Sequence, residues 1–437
     1  MRKVLISLLL VGLCGLPAAS WVSNPIETPM AGAANHPDSR NQGRPQAPST
    51  GRDVPEMSSF DRMIPALMRE YNIPGGAIGV VKDGRLIFAR GYGWADREAR
   101  QPVQPDSLFR IASLTKAFTA TAILILVQDG RLKLDDRAFA ILDNLKPARG
   151  ANVDRRIYQI TIRELLQHSG GWDRDKSFDP MFMSDQIAQA MGQPAPARPE
   201  TIIRFMLGKP LQFNPGTRYA YSNFGYCILG RIIERVSGES YEQYVREHVL
   251  RPAGISSMKL GHTLLREQAP REVRYYGYPG MGRADSVFPG GGQVPWPYGG
   301  WYIEAMDSHG GWIASTMDLL RFLVALDEGR IIRKNLVSEM TARPAPPLWE
   351  GSDTWYGFGL QVRTAGNGFN WWHEGSLDGT STLMVRAFNG LKWVALYNSR
   401  PQDSDKFGGE MDDIMWRAIG QVSRFPAGDQ FVQFRVP

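Results

Sequence analysis

Residues 117–127 are apolar almost without interruption, so a helix there has no polar face for water and must lie inside the protein. Upstream, residues 61–70 carry a helical pattern. Residues 77–82 and 85–92 are strand-like runs joined by Asp83-Gly84, a two-residue loop that favours a hairpin. From Asp135 to about Leu260 the apolar spacing turns helical. Ile160 to Leu166 opens one helix, residues 201–207 a second, 224–236 a long third and 241–249 a fourth. Residues 275–301, rich in Gly, Pro and aromatics, have no period and read as a long loop, a kind of segment that often carries function. A helix follows at about 316–326, with Ser315 and Asp318 spaced as a capping box.

Strands return at 358–363, 369–373, 381–388 and 392–398, with Asn367-Gly368 and Asn389-Gly390 marking tight turns, and a last helix spans about 405–419. Strands at both ends with helices between imply an α+β fold. In it one antiparallel sheet, assembled from the two chain ends and flanked by helices, carries an inserted, mostly helical region at about 135–270. No internal repeat interrupts this plan.

The N-terminus changes the picture. Arg2 and Lys3 precede an apolar run to Leu16 and then Pro17-Ala18-Ala19-Ser20, the shape of a cleavable secretory signal over residues 1–20. An uncleaved N-terminal anchor is the alternative, and the large Leu13 argues against Cys14 as a lipidation site. Residues 21–55, rich in Pro, Asn, Gly, Ala and Ser, read as a disordered linker, with the folded domain at 56–425. The expected location is therefore periplasmic or secreted. Without the leader Cys227 stands alone, which excludes an intrachain disulfide and reads as a small core residue. The net charge of +6 loses two of its charges if Arg2 and Lys3 leave. Its basic residues are interleaved with acids, without the Lys/Arg run that marks nucleic-acid contact. The expected partner is a small-molecule or peptide substrate, with no nucleic acid and no stable membrane insertion beyond the possible anchor. Nothing in the pattern fixes an oligomeric state.

Candidate chemistry gathers at the mouth of the apolar helix. Ser113 and Lys116, at i and i+3, lie on one face roughly 5–6 Å apart at Cβ. A sheltered lysine can lose its proton and activate a serine hydroxyl, and a helix start offers free N–H groups to an oxyanion. A second Ser-x-x-Lys, Ser256-Ser257-Met258-Lys259, sits in a turn-like stretch with no apolar helix behind it. Tyr221-Ser222-Asn223 is the chain's one Tyr-x-Asn, between the Asn214-Pro215-Gly216 turn and a helix. A tyrosine there can hold a depressed pKa near a lysine and work as general base and acid. His373-Glu374-Gly375-Ser376 ends a strand, and its glycine lets a substrate approach the backbone. His168-Ser169-Gly170 and His309-Gly310-Gly311 match His-x-Gly without that strand context.

In this order the three motifs resemble the serine β-lactamase and penicillin-binding protein family. The nearest likeness is to the branch of class C β-lactamases, D-alanyl-D-alanine carboxypeptidases and family VIII esterases. The resemblance runs from about Phe60 to Ile419 and takes in Leu165-Leu166-Gln167-His168-Ser169-Gly170-Gly171 and Gly310-Gly311-Trp312. It implies a β-lactamase-like fold and an exported serine hydrolase with no cofactor and no metal. Ser113 becomes the acylated nucleophile, Lys116 its activating partner and Tyr221 a proton shuttle. Asn223 binds the substrate amide or orients Lys116. His373 replaces the family's third-motif lysine, Gly375 belongs to that motif, and the N–H groups of Ser113 and Ser376 form the oxyanion hole.

A histidine, largely neutral at pH 7, weakens the case for β-lactam turnover. It favours an ester- or amide-hydrolysing enzyme, esterase-like, with a D-aminoacyl amidase, D-Ala carboxypeptidase or β-lactamase as alternatives. Glu374 adds a negative charge without an evident partner. Trp172, Trp296, Tyr298 and Trp301 are candidates for a cleft rim. A reading from another class, a non-catalytic penicillin-binding or sensing module, is opposed by the intact Ser113, Lys116 and Tyr221. Neither a Gly-x-Ser-x-Gly elbow nor a His-Glu-x-x-His pair is present.

Overall fold

The computed structural model describes residues 47–434; the expected leader and most of the expected linker lie outside the described residues. A nine-stranded antiparallel sheet forms the frame. Its strands are β1 (Ser49–Thr50), β2 (Gly75–Lys82), β3 (Arg85–Asp96), β4 (Thr354–Tyr356), β5 (Gln361–Ala365), β6 (Gly368–Leu377), β7 (Thr380–Arg386) and β8 (Leu391–Tyr397). They lie in the order β1-β3-β2-β8-β7-β6-β5-β4, with Gln101–Pro102 added beside β3. The two chain ends meet at the β2–β8 pairing, which runs in register from Gly76↔Tyr397 to Leu391↔Lys82. At the β2–β3 hairpin Asp83 and Gly84 both take positive φ, 49° and 78°, as a type I′ turn demands.

Both faces of this sheet are covered. Helices α1 (Ser58–Glu70) and α5 (Ser404–Gly420) pack on one side through Phe60, Ile64, Phe407, Met411 and Met415. Ser59 Oγ donates to Ala418 O (2.8 Å) between them. Helices α2 (Thr115–Gln128) and α4 (Thr316–Asp327) and the helical region pack on the other. Doubly covered strands bury consecutive side chains, which is why β2 and β8 read as apolar runs rather than alternations. Every residue of α2 from Thr115 to Leu126 is buried, as its lack of a polar face requires. The Ser315–Asp318 capping box is formed in both directions. The inserted region contains α3 (Asn223–Ser237), several shorter helices and the expected helix at 241, which is α only over Tyr241–Val245 and widens to a π turn at Arg246–Leu250.

Other expectations need correcting. The linker expected to reach residue 55 stops short of it, because Ser49 and Thr50 pair with Tyr92 and Gly91. The loop expected at 275–301 contains a two-stranded ribbon, Arg283–Asp285 with Gln293–Pro295. A buried cation that the hydropathy pattern did not single out holds this loop. The Arg110 guanidinium donates to Pro297 O and His262 O (both 2.6 Å) and lies over the rings of Tyr275, Tyr298 and Trp301. Among the described residues no helix is long and apolar enough to cross a membrane.

Candidate active site

Ser113 is placed by a short strand and a strained residue. Phe109–Arg110 pairs with Ala314 and Ile313, and Ile111 N–H donates to Trp312 O (3.0 Å), leading the chain into the site. Ala112 then takes φ +48°, a left-handed conformation unfavourable for an L-residue with a Cβ. Ser113 itself is half-buried in a 3₁₀ turn, Ala112–Leu114, not in the first turn of α2 as the spacing suggested; the helix begins at Thr115.

Lys116, fully buried in α2, points its Nζ back at this turn. The nitrogen lies 3.0 Å from Ser113 Oγ, 2.8 Å from Asn223 Oδ1 and 2.9 Å from His309 O. Burial pushes its pKa well down, the nearby Arg174 cation adds to that, and Asp179 opposes it. A neutral amine has two N–H donors and one lone pair. Asn223 Oδ1 and His309 O can only accept, so they take both donors and leave the lone pair facing the Ser113 hydroxyl. That is the geometry of a general base on a nucleophile.

Asn223, the first residue of α3, is held at its other end, since its Nδ2 donates to Asp179 Oδ2 (2.7 Å). Of the two roles the resemblance left open, orienting Lys116 is the one its contacts support. Neither Asp179 nor the His309 carbonyl was found from the sequence. A backbone acceptor has no side-chain signature, and Asp179 has no motif, only its place before Pro180.

Tyr221 precedes Ser222, whose Oγ caps α3 by accepting from Gly225 N (3.1 Å) and whose own N–H donates to His168 Nδ1 (3.1 Å). The Ser113 hydroxyl lies close enough to the Tyr221 phenol to favour its ionised form. Lys116 Nζ lies 4.7 Å from the Tyr221 ring centroid, and the Arg174 guanidinium 4.9 Å from it. The expected depressed pKa is not what this environment produces. Burial raises the phenol above its ordinary value, outweighing the Ser113 hydroxyl and the Arg174 charge. Tyr221 therefore rests as a neutral phenol that can donate a proton, rather than as a tyrosinate base.

The third motif needs the largest revision. His373 Nδ1 lies 2.6 Å from Glu374 O, which can only accept, so Nδ1 carries the proton; Nε2 then accepts from the Tyr356 hydroxyl (2.9 Å). Both ring nitrogens are occupied within the protein, and burial pushes the pKa down to about 3. His373 is thus a neutral, buried residue in an aromatic layer with Tyr221 and Tyr356, and not a substitute for a substrate-binding lysine.

Gly375, two residues on, is needed for a different reason from the one expected. A Cβ there would collide with Ile111 O and Thr382 Oγ1, so the glycine lets the nucleophile turn settle onto β6. Glu374, between them, is exposed on the opposite side of the strand, where Trp372 Nε1 donates to Oε1 (3.3 Å) and Gly408 of α5 is close. Its charge faces away from Ser113. Ser376 lies on the part of β6 that outruns β5, whose pairing ends at Gln361↔Trp372.

The remaining candidates are structural. Trp172 packs edge-on against Phe224, while Tyr298 and Trp301 enclose Arg110. In the second Ser-x-x-Lys, Ser256 is exposed and its neighbour Ser257 donates to Asp318 Oδ1 (2.6 Å), apart from the Ser113 group. Cys227 is buried and its thiol pKa is raised by desolvation, so it is no nucleophile. Among the described residues, His262, Glu267 and Glu304 bring ligand atoms within 4.8 Å of one another, but none belongs to the Ser113 group.

The chain has clear relatives. Residues 60–411 match the β-lactamase family model, and the chain belongs to that family. It is 27% identical to penicillin-binding protein 4* of Bacillus subtilis over 337 residues, 76% of this chain and 69% of that protein. Protein flp of Staphylococcus aureus is 32% identical over 208 residues, but the match spans 48% of this chain and 38% of that protein's length. Among solved structures, D-amino acid amidase from Ochrobactrum anthropi SV3 superposes with TM-score 0.63 at 25% identity, covering 84% of this chain and 99% of that one. The octameric penicillin-binding protein homologue from Pyrococcus abyssi gives 0.62 at 28%, covering 84% and 78%.

Proposed function

We propose that this β-lactamase family member is a serine hydrolase that cleaves small esters or amides through an acyl-enzyme on Ser113. The observation that carries the reading is buried Lys116 Nζ, 3.0 Å from Ser113 Oγ with Asn223 Oδ1 and His309 O as its other partners. Lys116 Nζ takes the hydroxyl proton as Ser113 Oγ attacks the substrate carbonyl. The N–H groups of Ser113 and Ser376 receive the oxyanion. Tyr221 passes its proton to the departing amine or alcohol and regains one from Lys116, which holds the proton taken from Ser113. Water then hydrolyses the acyl-serine by the reverse relay.

Within this class the likeness to a D-amino acid amidase supports D-aminoacyl amides beside activated esters as substrates. The occupied, uncharged His373 argues against a carboxylate anchor of the lysine type, and so against efficient β-lactam turnover. The leader-like residues 1–20 support export, checked by the N-terminal mass of the mature protein.

The test is intact-mass and peptide mapping after brief exposure to an activated short-chain ester, D- and L-phenylalanine amide, and a penicillin. The expected result is an adduct on Ser113 with fast release of the ester acyl group and lasting retention of the penicillin. If no serine is labelled and no reagent is consumed, the protein is a non-catalytic member.

A further inference from the structure

We propose that Thr382 is a positioning residue that sets the width of the oxyanion hole; the inference rests on the acyl-serine reading above. The two N–H groups assigned to the hole come from separate parts of the chain, Ser113 from the turn before α2 and Ser376 from β6. Something must hold those parts at a fixed separation, because a small misplacement of a catalytic group is costly in rate.

Thr382 sits between them. It is fully buried on β7, directly opposite Gly375 in the pairing with β6. Its Oγ1 lies 3.1 Å from Ile111 O, two residues before the nucleophile, and 3.3 Å from Gly375 O, one residue before Ser376. One hydroxyl proton is thus shared between the two arms of the hole. Thr380, on the same face, repeats the device one step earlier by donating to Arg110 O (2.9 Å) and Tyr397 O (3.1 Å). The absence of a Cβ at Gly375 is what lets the arms come this close.

Two fully buried threonines on one covered face of β7 also argue for a specific use. Valine has nearly the same shape, and a buried hydroxyl is favourable only where it is hydrogen-bonded. Packing alone therefore gives no reason for threonine at 380 and 382. The hydroxyl does not hold the fold together by itself either, since Ile111 O also accepts from Leu114 N (3.2 Å). Losing it should loosen the geometry of the hole more than the stability of the chain.

Thr382→Val and Thr382→Ser test this in the full-length protein. Hydrolysis of p-nitrophenyl acetate is followed together with inhibition by a phenylboronic acid, which becomes tetrahedral when it bonds the serine. For Thr382→Val, kcat should fall about 10- to 100-fold with KM changed less than about threefold. Boronate affinity should fall by the same factor as kcat/KM, and Tm should stay within about 4 °C. Thr382→Ser, which keeps the hydroxyl, should recover most of the rate and of the boronate affinity.

Equal loss in the Val and Ser variants would overturn the proposal, as would an unchanged rate or a rate loss without loss of boronate affinity. If the unmutated protein forms no Ser113 adduct and consumes no reagent, the acyl-serine reading falls instead, and the proposal with it. That failure is distinguishable because it requires no variant.

Discussion

Replacing Lys116 by methionine should abolish turnover, but its effect on stability is the sharper test of the site. The depressed pKa means that the native protein gives up the Lys116 proton at a lower pH than the unfolded chain, whose lysine pKa is an ordinary ~10.4. Between its folded and unfolded pKa values the unfolded state then binds more protons than the native state at this residue. Stability must rise with pH across that window, by at most about 1.4 kcal/mol per unit from this residue alone. The sign follows from the depressed folded value. Lys116 destabilises most at low pH, the penalty shrinks as pH rises, and it vanishes above the unfolded pKa.

Lys116→Met removes this slope. It also leaves Asn223 Oδ1 and His309 O without that donor, at a cost of about 1–3 kcal/mol each, but that cost does not depend on pH. Neighbouring groups do not interfere in the window. His168, His309 and His373 are shifted down, and Tyr221 and Cys227 are shifted up. Urea unfolding of both proteins at pH 7, 8 and 9 should therefore show the wild type gaining on the variant as the pH rises, by at most about 2.7 kcal/mol over two units. Parallel stability curves would mean that native Lys116 is an ammonium, and the general-base assignment would fail.

Other expectations follow from the same contacts. Ser113→Ala should remove the covalent adduct and all burst kinetics while keeping the fold; substantial residual turnover would displace the nucleophile. Tyr221→Phe should slow the reaction at least ~10²-fold. Because burial raises the phenol, the wild-type pH–rate profile should show no tyrosine ionisation below pH 10, and a limb that disappears in the Phe variant would contradict this. His373→Gln should cost about 1–3 kcal/mol by disturbing the Tyr356 hydroxyl, yet leave KM for acidic and neutral substrates alike. A selective KM rise for acidic substrates would restore it as an anchor. Since its folded pKa lies near 3, below the ordinary histidine value, its contribution to stability is complete above about pH 6.5. That contribution should decline as the pH falls toward 3, measurable as lost stability against the Gln variant.

What the sequence disclosed followed the length of each signal. The apolar run behind Ser113, the Asp83-Gly84 turn and the Ser315 cap are local patterns, and each folds as its chemistry dictates. Residues 354–356 and 109–110 form strands too short to show a period, so their partners came to light only in the fold. That is why His373 was misread. Tyr356, which occupies its Nε2, sits on one of those strands. Tyr221 was found but its ionisation was inverted, because a nearby lysine lowers a phenol pKa only while the lysine is charged, and burial neutralises this one.

The meeting of the chain ends in the sheet has a consequence for when the enzyme exists at all. Ser59 bonds Ala418 across 359 residues, and β2 cannot gain its inner neighbour until β8 has been made. Contacts that span nearly the whole polypeptide make closure a late and slow event in folding. The serine arrives early on the ribosome, whereas the strand opposite it arrives near the end. A nascent or C-terminally clipped chain would therefore carry a nucleophile with half a receptor for its oxyanion. Hydrolytic competence would report completion of the polypeptide, and two fragments divided inside the helical insertion should regain it only on reassociation.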